Sequence, residues 1–418
     1  MNKITSKYCK ELVNTYGPAL YVFDEQGFID NYKNLEKSIQ EVYPKYIPAL
    51  SYKTNYMPYL CNIVRKLGGY AEVVSDMEYS IAKCIGYDDK KIIYNGPVKG
   101  KHMETLIVNG GIVNIDNIEE CKRIIDIAGR NPEKMLKCGI RVNVDIRQGF
   151  ISRFGIDADS PELGIVIEMI KSIPNLRLAG LHMHVGRTRD ANAWNRRAVE
   201  MIRLADCFFK DAPEFINLGS GMFGCMEDSL AVQFSDRIPT YSDYAEAIGR
   251  PMMNRYGHLP IEKQPVLFTE PGTTVDSRYM DFIVKVENIK SIRGKTFITL
   301  NCSVDNIGTM CKIKKMPLNI IHNGGKLIEI QDGSFVGYTC LENDVMYEGF
   351  SGNLSVGDTV IFGNVGGYSN VSKPPFILWN CPIVAIRPNG NSIIIKEQET
   401  CDDILRTYMI PNAGEDHD

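Results

Sequence analysis

The sequence predicts an α/β protein: a (β/α)8 barrel over residues 28–282, then an antiparallel β domain over residues 283–418 that also takes in the N-terminal strand of residues 1–27. Three observations lead there. At 418 residues the chain exceeds what one hydrophobic core ordinarily supports, which favours two domains. Between Ile47 and Glu270, eight short apolar runs alternate with helix-like segments, and eight such units over about 250 residues match a (β/α)8 barrel. Beyond Phe282 the alternation stops, and brief strand-like runs are punctuated by Asn-Gly and Asp-Gly pairs.

Ala19–Phe23 reads as a short strand and residues 28–42 as a helix. The eight barrel strands are expected at Ile47–Lys53, Tyr70–Ser75, Lys91–Asn95, Gly111–Ile115, Cys138–Val144, Leu178–Val185, Glu214–Leu218 and Pro265–Glu270. They are apolar along most of their length, as strands of a parallel sheet covered on both faces must be. Helical segments fill the gaps, among them Met77–Ile85, Ile118–Ala128, Ala191–Lys210 and Tyr241–Tyr256. Another, Ser160–Ser172, opens on a Ser-Pro-Glu cap and stops before Pro174. In the β domain the runs are Ile283–Val286, Thr296–Leu300, Asn319–Ile321, Lys326–Ile330, Asp358–Phe362, Ile377–Leu378 and Ile393–Lys396, with turns at Asn323-Gly324-Gly325, Asp332-Gly333 and Pro388-Asn389-Gly390.

Composition narrows the function. Hydrophobic content of 44% and charged content of 23% belong to an ordinary globular protein, and a net charge of −4 with scattered basic residues speaks against nucleic acid and acidic membrane surfaces. The first residues lack a signal-peptide core, and no apolar run reaches membrane-spanning length. Twelve cysteines occur without a C-x-x-C pair or a Cys/His metal cluster, which reads as reduced thiols of a cytoplasmic protein, mostly in the core, with no metal site expected.

In such a barrel, polar residues at the C-terminal ends of strands read as catalytic. Those ends carry Lys53, Glu72 with Ser75, Asn95, Asp116, Asn143, His184, Gly219-Ser220-Gly221 and Glu270. Singly, each has an ordinary explanation: Lys53 a snorkelling lysine, Asn95-Gly96-Pro97 a turn, Asp116 a helix cap, Glu72 a solvated rim acid, His184 a satisfied core histidine. Their convergence on one face is what gives the set meaning. Glycines at 219, 221 and 272 free backbone N–H groups to approach an anion after strands seven and eight. A lysine amine, an anion cradle and an inward acid suit pyridoxal phosphate, which needs an imine-forming lysine, phosphate donors and a partner for its ring nitrogen.

In order along the chain, Ser51-Tyr52-Lys53-Thr54-Asn55, Gly69–Ser75 with Glu78, Ser152-Arg153-Phe154-Gly155, Gly180–Gly186 (G-L-H-M-H-V-G), Asn217–Gly221, Glu270-Pro271-Gly272, Cys340–Asp344 and Gly366-Gly367-Tyr368 resemble the motifs of the fold-type III pyridoxal-phosphate decarboxylases, the diaminopimelate and ornithine decarboxylase family with its alanine racemase-like barrel. The resemblance implies that Lys53 carries the cofactor, Glu72 sits beside it, His184 stacks on the ring, Glu270 pairs with the ring nitrogen and Gly219-Ser220-Gly221 with Gly272 hold the phosphate. It further implies Tyr368 near the phosphate and Cys340 as the proton donor to Cα in the site of a second subunit, hence a homodimer with shared sites.

The departures matter equally. Thr273 stands where the family has arginine, and Arg187 where it has serine, so Arg187 is expected to supply the cation and Thr273 or Thr274 the hydroxyl. Leu341 follows Cys340 where relatives that recognise a distal amine carry an acid, and no arginine for a distal carboxylate is recognisable after Asn301–Asn306, leaving Lys312, Lys314 or Lys315 as substitutes. The expected activity is decarboxylation of an amino acid, free or carrier-bound, whose side chain is neutral or masked. A racemase of the same fold would place arginine at the ring nitrogen, which Glu270 argues against. A non-catalytic pyridoxal-phosphate binding protein would lack the second domain.

Overall fold

The computed structural model describes residues 4–146, 151–186, 188–234 and 237–409. The chain divides into two compact units, Gly27–Arg278 and Met1–Gln26 with Tyr279–Asp418.

In the first unit eight parallel strands close into a barrel: Tyr46–Ser51, Tyr70–Val73, Ile92–Tyr94, Ile112–Ile115, Leu136–Asn143, Leu176–His182, Phe215–Asn217 and Val266–Thr269. The expected strands all form, and the closing pairs join the fourth strand to the fifth (Ile115 to Ile140) and the eighth to the first (Phe268 to Ile47). Ala49, Ile93, Ala179, Phe215 and Phe268 fill the lumen, with Phe215 and Phe268 edge-on at 6.1 Å between ring centroids. Several predicted strand ends fall outside the ladder: Lys53, Ser75, His184 and Glu270 lie one to two residues past the hydrogen-bonded segments. That leaves their side chains on the loops of the C-terminal face, where a barrel places its chemistry.

Local chemistry explains the helix starts. Ser75 Oγ accepts from the Glu78 N–H and starts Asp76–Ile85, while Asn117 Oδ1 accepts from the Glu120 N–H and starts Ile118–Arg130. Pro161 begins Pro161–Lys171 as expected, but Ser160 Oγ donates to the Asp157 carbonyl rather than capping the helix. The helix predicted over residues 241–256 forms with a π-turn at Ala245–Gly249, just ahead of Pro251, which has no N–H to give to the ladder.

The second unit is a nine-stranded sheet around the bent strand Met280–Ile292. It is mixed rather than wholly antiparallel as expected: Ala19–Asp24 runs parallel to Ile383–Ile386, and Lys295–Leu300 parallel to Ile328–Val336. Two strands, Val345–Leu354 and Ile383–Ile386, escaped the sequence reading. The Asp332-Gly333 turn is instead a bulge inside Ile328–Val336, with Asp332 at φ 52°. Ile377–Leu378 makes no strand, only an isolated bridge between Phe376 and Leu378. The turns at Gly324 and Gly390 form with φ of 91° and 83°.

Candidate active site

Lys53 leaves the first strand with its Nζ 2.6 Å from Glu72 Oε2, and Ser51 Oγ donates to the same oxygen at 2.7 Å. Glu72, at 0% exposure, is therefore a buried counter-ion and not a rim acid. Across the lumen Glu270 is equally buried. Its Oε1 accepts from Asn95 Nδ2 at 2.5 Å and Asn217 Nδ2 at 2.8 Å, and His182 Nε2 lies 3.1 Å away. Burial alone would raise the Glu270 carboxyl, but the adjoining His182 ring and the Lys53 ammonium outweigh it and hold it well below the usual carboxylate range.

His184 lies two residues past the sixth strand. Its Nδ1 accepts from the Ser220 backbone N–H at 3.3 Å, which makes that nitrogen the unprotonated one. Burial lowers the pKa of both His182 and His184, against the pull of Glu270. With its proton on Nε2, neutral His184 has none to donate from Nδ1, so Glu270 Oε2, 3.5 Å from that atom, accepts no hydrogen bond among the described residues. A buried, ionised carboxylate oxygen without a donor calls for an N–H supplied from outside the chain.

The glycine loops reach the same face. Gly219 has φ 65°, and a Cβ there would stand 2.4 Å from the Met183 carbonyl; Gly221 has φ 113°. Gly272 packs on Thr54, where a Cβ would meet Oγ1 at 2.1 Å. Behind the Gly219–Gly221 loop lies Arg197, fully buried, donating to the carbonyls of Val185 and Thr188 at 2.9 Å and of Ser220 at 3.2 Å. Thr273 opens the short helix Thr273–Asp276. Thr274 is removed from the role offered to it, because its hydroxyl donates to the Met222 carbonyl at 3.0 Å.

A second buried layer supports the strand ends. Arg141 Nη1 meets Asp116 Oδ1 at 3.2 Å, and Lys99 Nζ meets Glu120 Oε2 at 2.7 Å. Asp116 is thus an ion-pair partner, and Asn117 is the cap it was expected to be. Asn143 Nδ2 holds the carbonyls of Ser152 and Phe154, setting the Ser152–Gly155 loop beside Arg141.

Of the expected site residues, Lys53, Glu72, His184, Gly219, Ser220, Gly221, Glu270, Gly272 and Thr273 are gathered at one end of this barrel. Arg187 lies outside the described residues. Cys340 and Tyr368 belong to the second unit: Cys340 is exposed, and Tyr368, at φ 55°, is 37% exposed. Asp344 ties the Cys340 turn to its unit, accepting from the Val304 N–H and the Thr339 hydroxyl. Sequence reasoning passed over Asn95 and Asn114 as bridging groups. The available signal was asparagine inside otherwise apolar barrel strands, where it is depleted.

Comparison with known proteins agrees with this chemistry. The family model "Pyridoxal-dependent decarboxylase, pyridoxal binding domain" matches residues 30–276. The chain is 23% identical to a diaminopimelate decarboxylase of Methanocaldococcus jannaschii, covering 96% of this chain and 93% of that protein. It is 24% identical to an L-glutamyl-[BtrI acyl-carrier protein] decarboxylase of Niallia circulans, covering 95% of each. The crystal structure of the Methanocaldococcus diaminopimelate decarboxylase superposes with a TM-score of 0.81 at 22% identity, over 96% of this chain and 94% of that one. With more than half of its length matched by the family model and its lysine, acids and glycine loops assembled at one barrel face, the chain belongs to the pyridoxal-dependent decarboxylases and is an amino-acid decarboxylase of that family.

Proposed function

We propose that this decarboxylase acts on an amino acid whose distal side-chain end is uncharged or attached to a carrier, using pyridoxal phosphate held at Lys53. The observation that carries the cofactor assignment is Glu270 Oε2, a buried carboxylate oxygen with no donor of its own among the described residues, which fits a protonated pyridine nitrogen. Lys53 would hold the aldehyde carbon, and the N–H groups of the Gly219–Gly221 and Gly272 loops would hold the phosphate. Once bound, the cofactor supplies an electron sink for the pair left when the carboxylate departs. Glu72 Oε2, at 2.6 Å, is the counter-ion that accepts the hydrogen bond of Lys53 Nζ. Glu270, kept ionised by its surroundings, would keep the ring nitrogen of the bound cofactor protonated. Neutral His184 offers an uncharged ring face.

Cys340 of a second copy is the proposed proton donor to Cα, which makes the working form a homodimer; the twelve thiols, all free, fit a cytoplasmic enzyme. No helix among the described residues is long and apolar enough to cross a membrane. The substrate reading rests on Leu341, which is 53% exposed beside Cys340 and gives a distal ammonium no partner. Alignment over nearly the whole chain with a relative named for a carrier-borne glutamyl substrate supports it. The test is carbon dioxide release by the cofactor-loaded enzyme across a panel of free and carrier-linked amino acids. Neutral or carrier-linked substrates should lead; fastest turnover of meso-diaminopimelate or ornithine would refute the substrate assignment.

A further inference from the structure

One carboxamide joins the two acids of the site. Asn95 Nδ2 is 3.2 Å from Glu72 Oε1 and 2.5 Å from Glu270 Oε1, one N–H for each carboxylate. Its Oδ1 accepts from Asn114 Nδ2 at 2.7 Å. This chemistry dictates the orientation: reversed, the Asn95 oxygen would face two carboxylate oxygens while its NH2 faced the Asn114 NH2. All four residues are buried, at 2% exposure or less, so little water screens the two acids from each other. We propose that Asn95 is a positioning residue that lets the counter-ion of Lys53 and the partner of the cofactor ring nitrogen stand side by side as anions, with Asn114 locking its amide for that task.

The charged and titratable groups around the pair are few. Lys53 sits on Glu72 and also acts on Glu270, His182 and His184 adjoin Glu270, Glu78 acts on Glu72 from the following helix, and Arg141 acts on both histidines. Apart from the Lys53 contact to Glu72, none of these places an N–H between the two acids. Without the amide, two carboxylates held against one NH2 would face each other directly, and one would take up a proton.

This inference rests on the assignment of pyridoxal phosphate to the site, and the experiment separates the two. Wild type, Asn95→Leu, Asn95→Asp and Asn114→Leu are loaded with the cofactor, and the visible band of the Lys53-bound cofactor is followed across pH, with the cofactor dissociation constant measured at each pH. A hydrogen bond to a charged group corresponds to a displacement of about one to two pH units, so the acid limb of the Asn95→Leu titration should move up by that amount, and that of Asn114→Leu by less in the same direction. Asn95→Asp keeps the shape but adds a third carboxylate; its cofactor affinity should fall about tenfold or more from acid to neutral pH, where wild type holds steady. A purely space-filling role predicts that the Asp variant behaves as wild type, and that result, or an acid limb unmoved in the Leu variants, overturns the proposal. Should Asn95→Leu not fold, the Asp and Asn114 variants decide it. If wild type itself forms no reducible adduct at Lys53, the cofactor assignment falls and this inference with it; if wild type loads and the variants titrate alike, only the role of Asn95 falls.

Discussion

Arg197 is the side chain whose loss should separate the scaffold of the site from its chemistry. Its guanidinium, at 0% exposure, lies 4.5 Å over the Trp194 ring and holds three backbone carbonyls in the loops after the sixth and seventh strands, Val185, Thr188 and Ser220. Burial depresses its pKa to about 10, with Tyr244 and Asp190 opposing. Arg197→Met keeps most of the apolar stem but leaves those carbonyls without a charged donor, at about 1–3 kcal/mol for each one that water cannot reach. Removing a buried guanidinium also recovers several kcal/mol of desolvation, so the net loss is about 2–5 kcal/mol. For a barrel of this size that is roughly 5–15 °C in melting temperature. Because the same guanidinium anchors the His184 loop and the Ser220 loop, cofactor affinity should fall with stability. Arg197→Lys should lie between, since an ammonium brings the charge without the planar fork. Thermal melts of cofactor-free protein and equilibrium titration with pyridoxal phosphate measure both effects. A Met variant that melts within about 2 °C of wild type and binds the cofactor equally well would refute this account.

Two other substitutions probe the same face. Asp276 is buried at 1% exposure, and desolvation raises it to about 8 despite the Ser277 hydroxyl. The folded chain therefore keeps this proton to about pH 8, whereas the unfolded chain loses it near pH 3.9, and stability falls by about 1.4 kcal/mol per pH unit as pH rises between them. Asp276→Asn should remove that slope, matching wild type near pH 4 and exceeding it by about 2–4 kcal/mol near neutrality; denaturation curves that stay parallel at pH 5 and pH 8 would contradict it. Gly219→Ala forces a left-handed backbone, costing about 1–2 kcal/mol, and drives a Cβ to 2.4 Å from the Met183 carbonyl, so melting temperature and cofactor affinity should both drop, and unchanged values for both would show that the loop is free to yield.

Barrel and site were unequally legible. The strands could be read because parallel strands covered on both faces must be apolar throughout, a demand written locally in runs such as Val266–Thr269. The sheet of the second unit was harder: Val345–Leu354 carries two glycines and mixed polarity, and its pairing with Ile328–Val336 through a bulge at Asp332 is a property of the partner strand. At the site, Lys53, Glu72, His184, the glycines and Glu270 stood out because charged or flexible residues at the ends of apolar strands need a reason. Which acid served which group did not follow from that. Glu72 became a counter-ion and Glu270 an acid with one oxygen left open only once Ser51, Asn95, Asn217 and the two histidines closed on them from four other strand ends.

The sequence alone therefore determined which residue types meet at the mouth of the barrel, since strand period and strand order suffice to bring their ends together. The tertiary structure decided their protonation and partnership. A carboxylate's charge depends on how many donors reach it and how much water is excluded, and both are sums over neighbours far apart in the chain, such as Asn95 and Glu270, 175 residues distant.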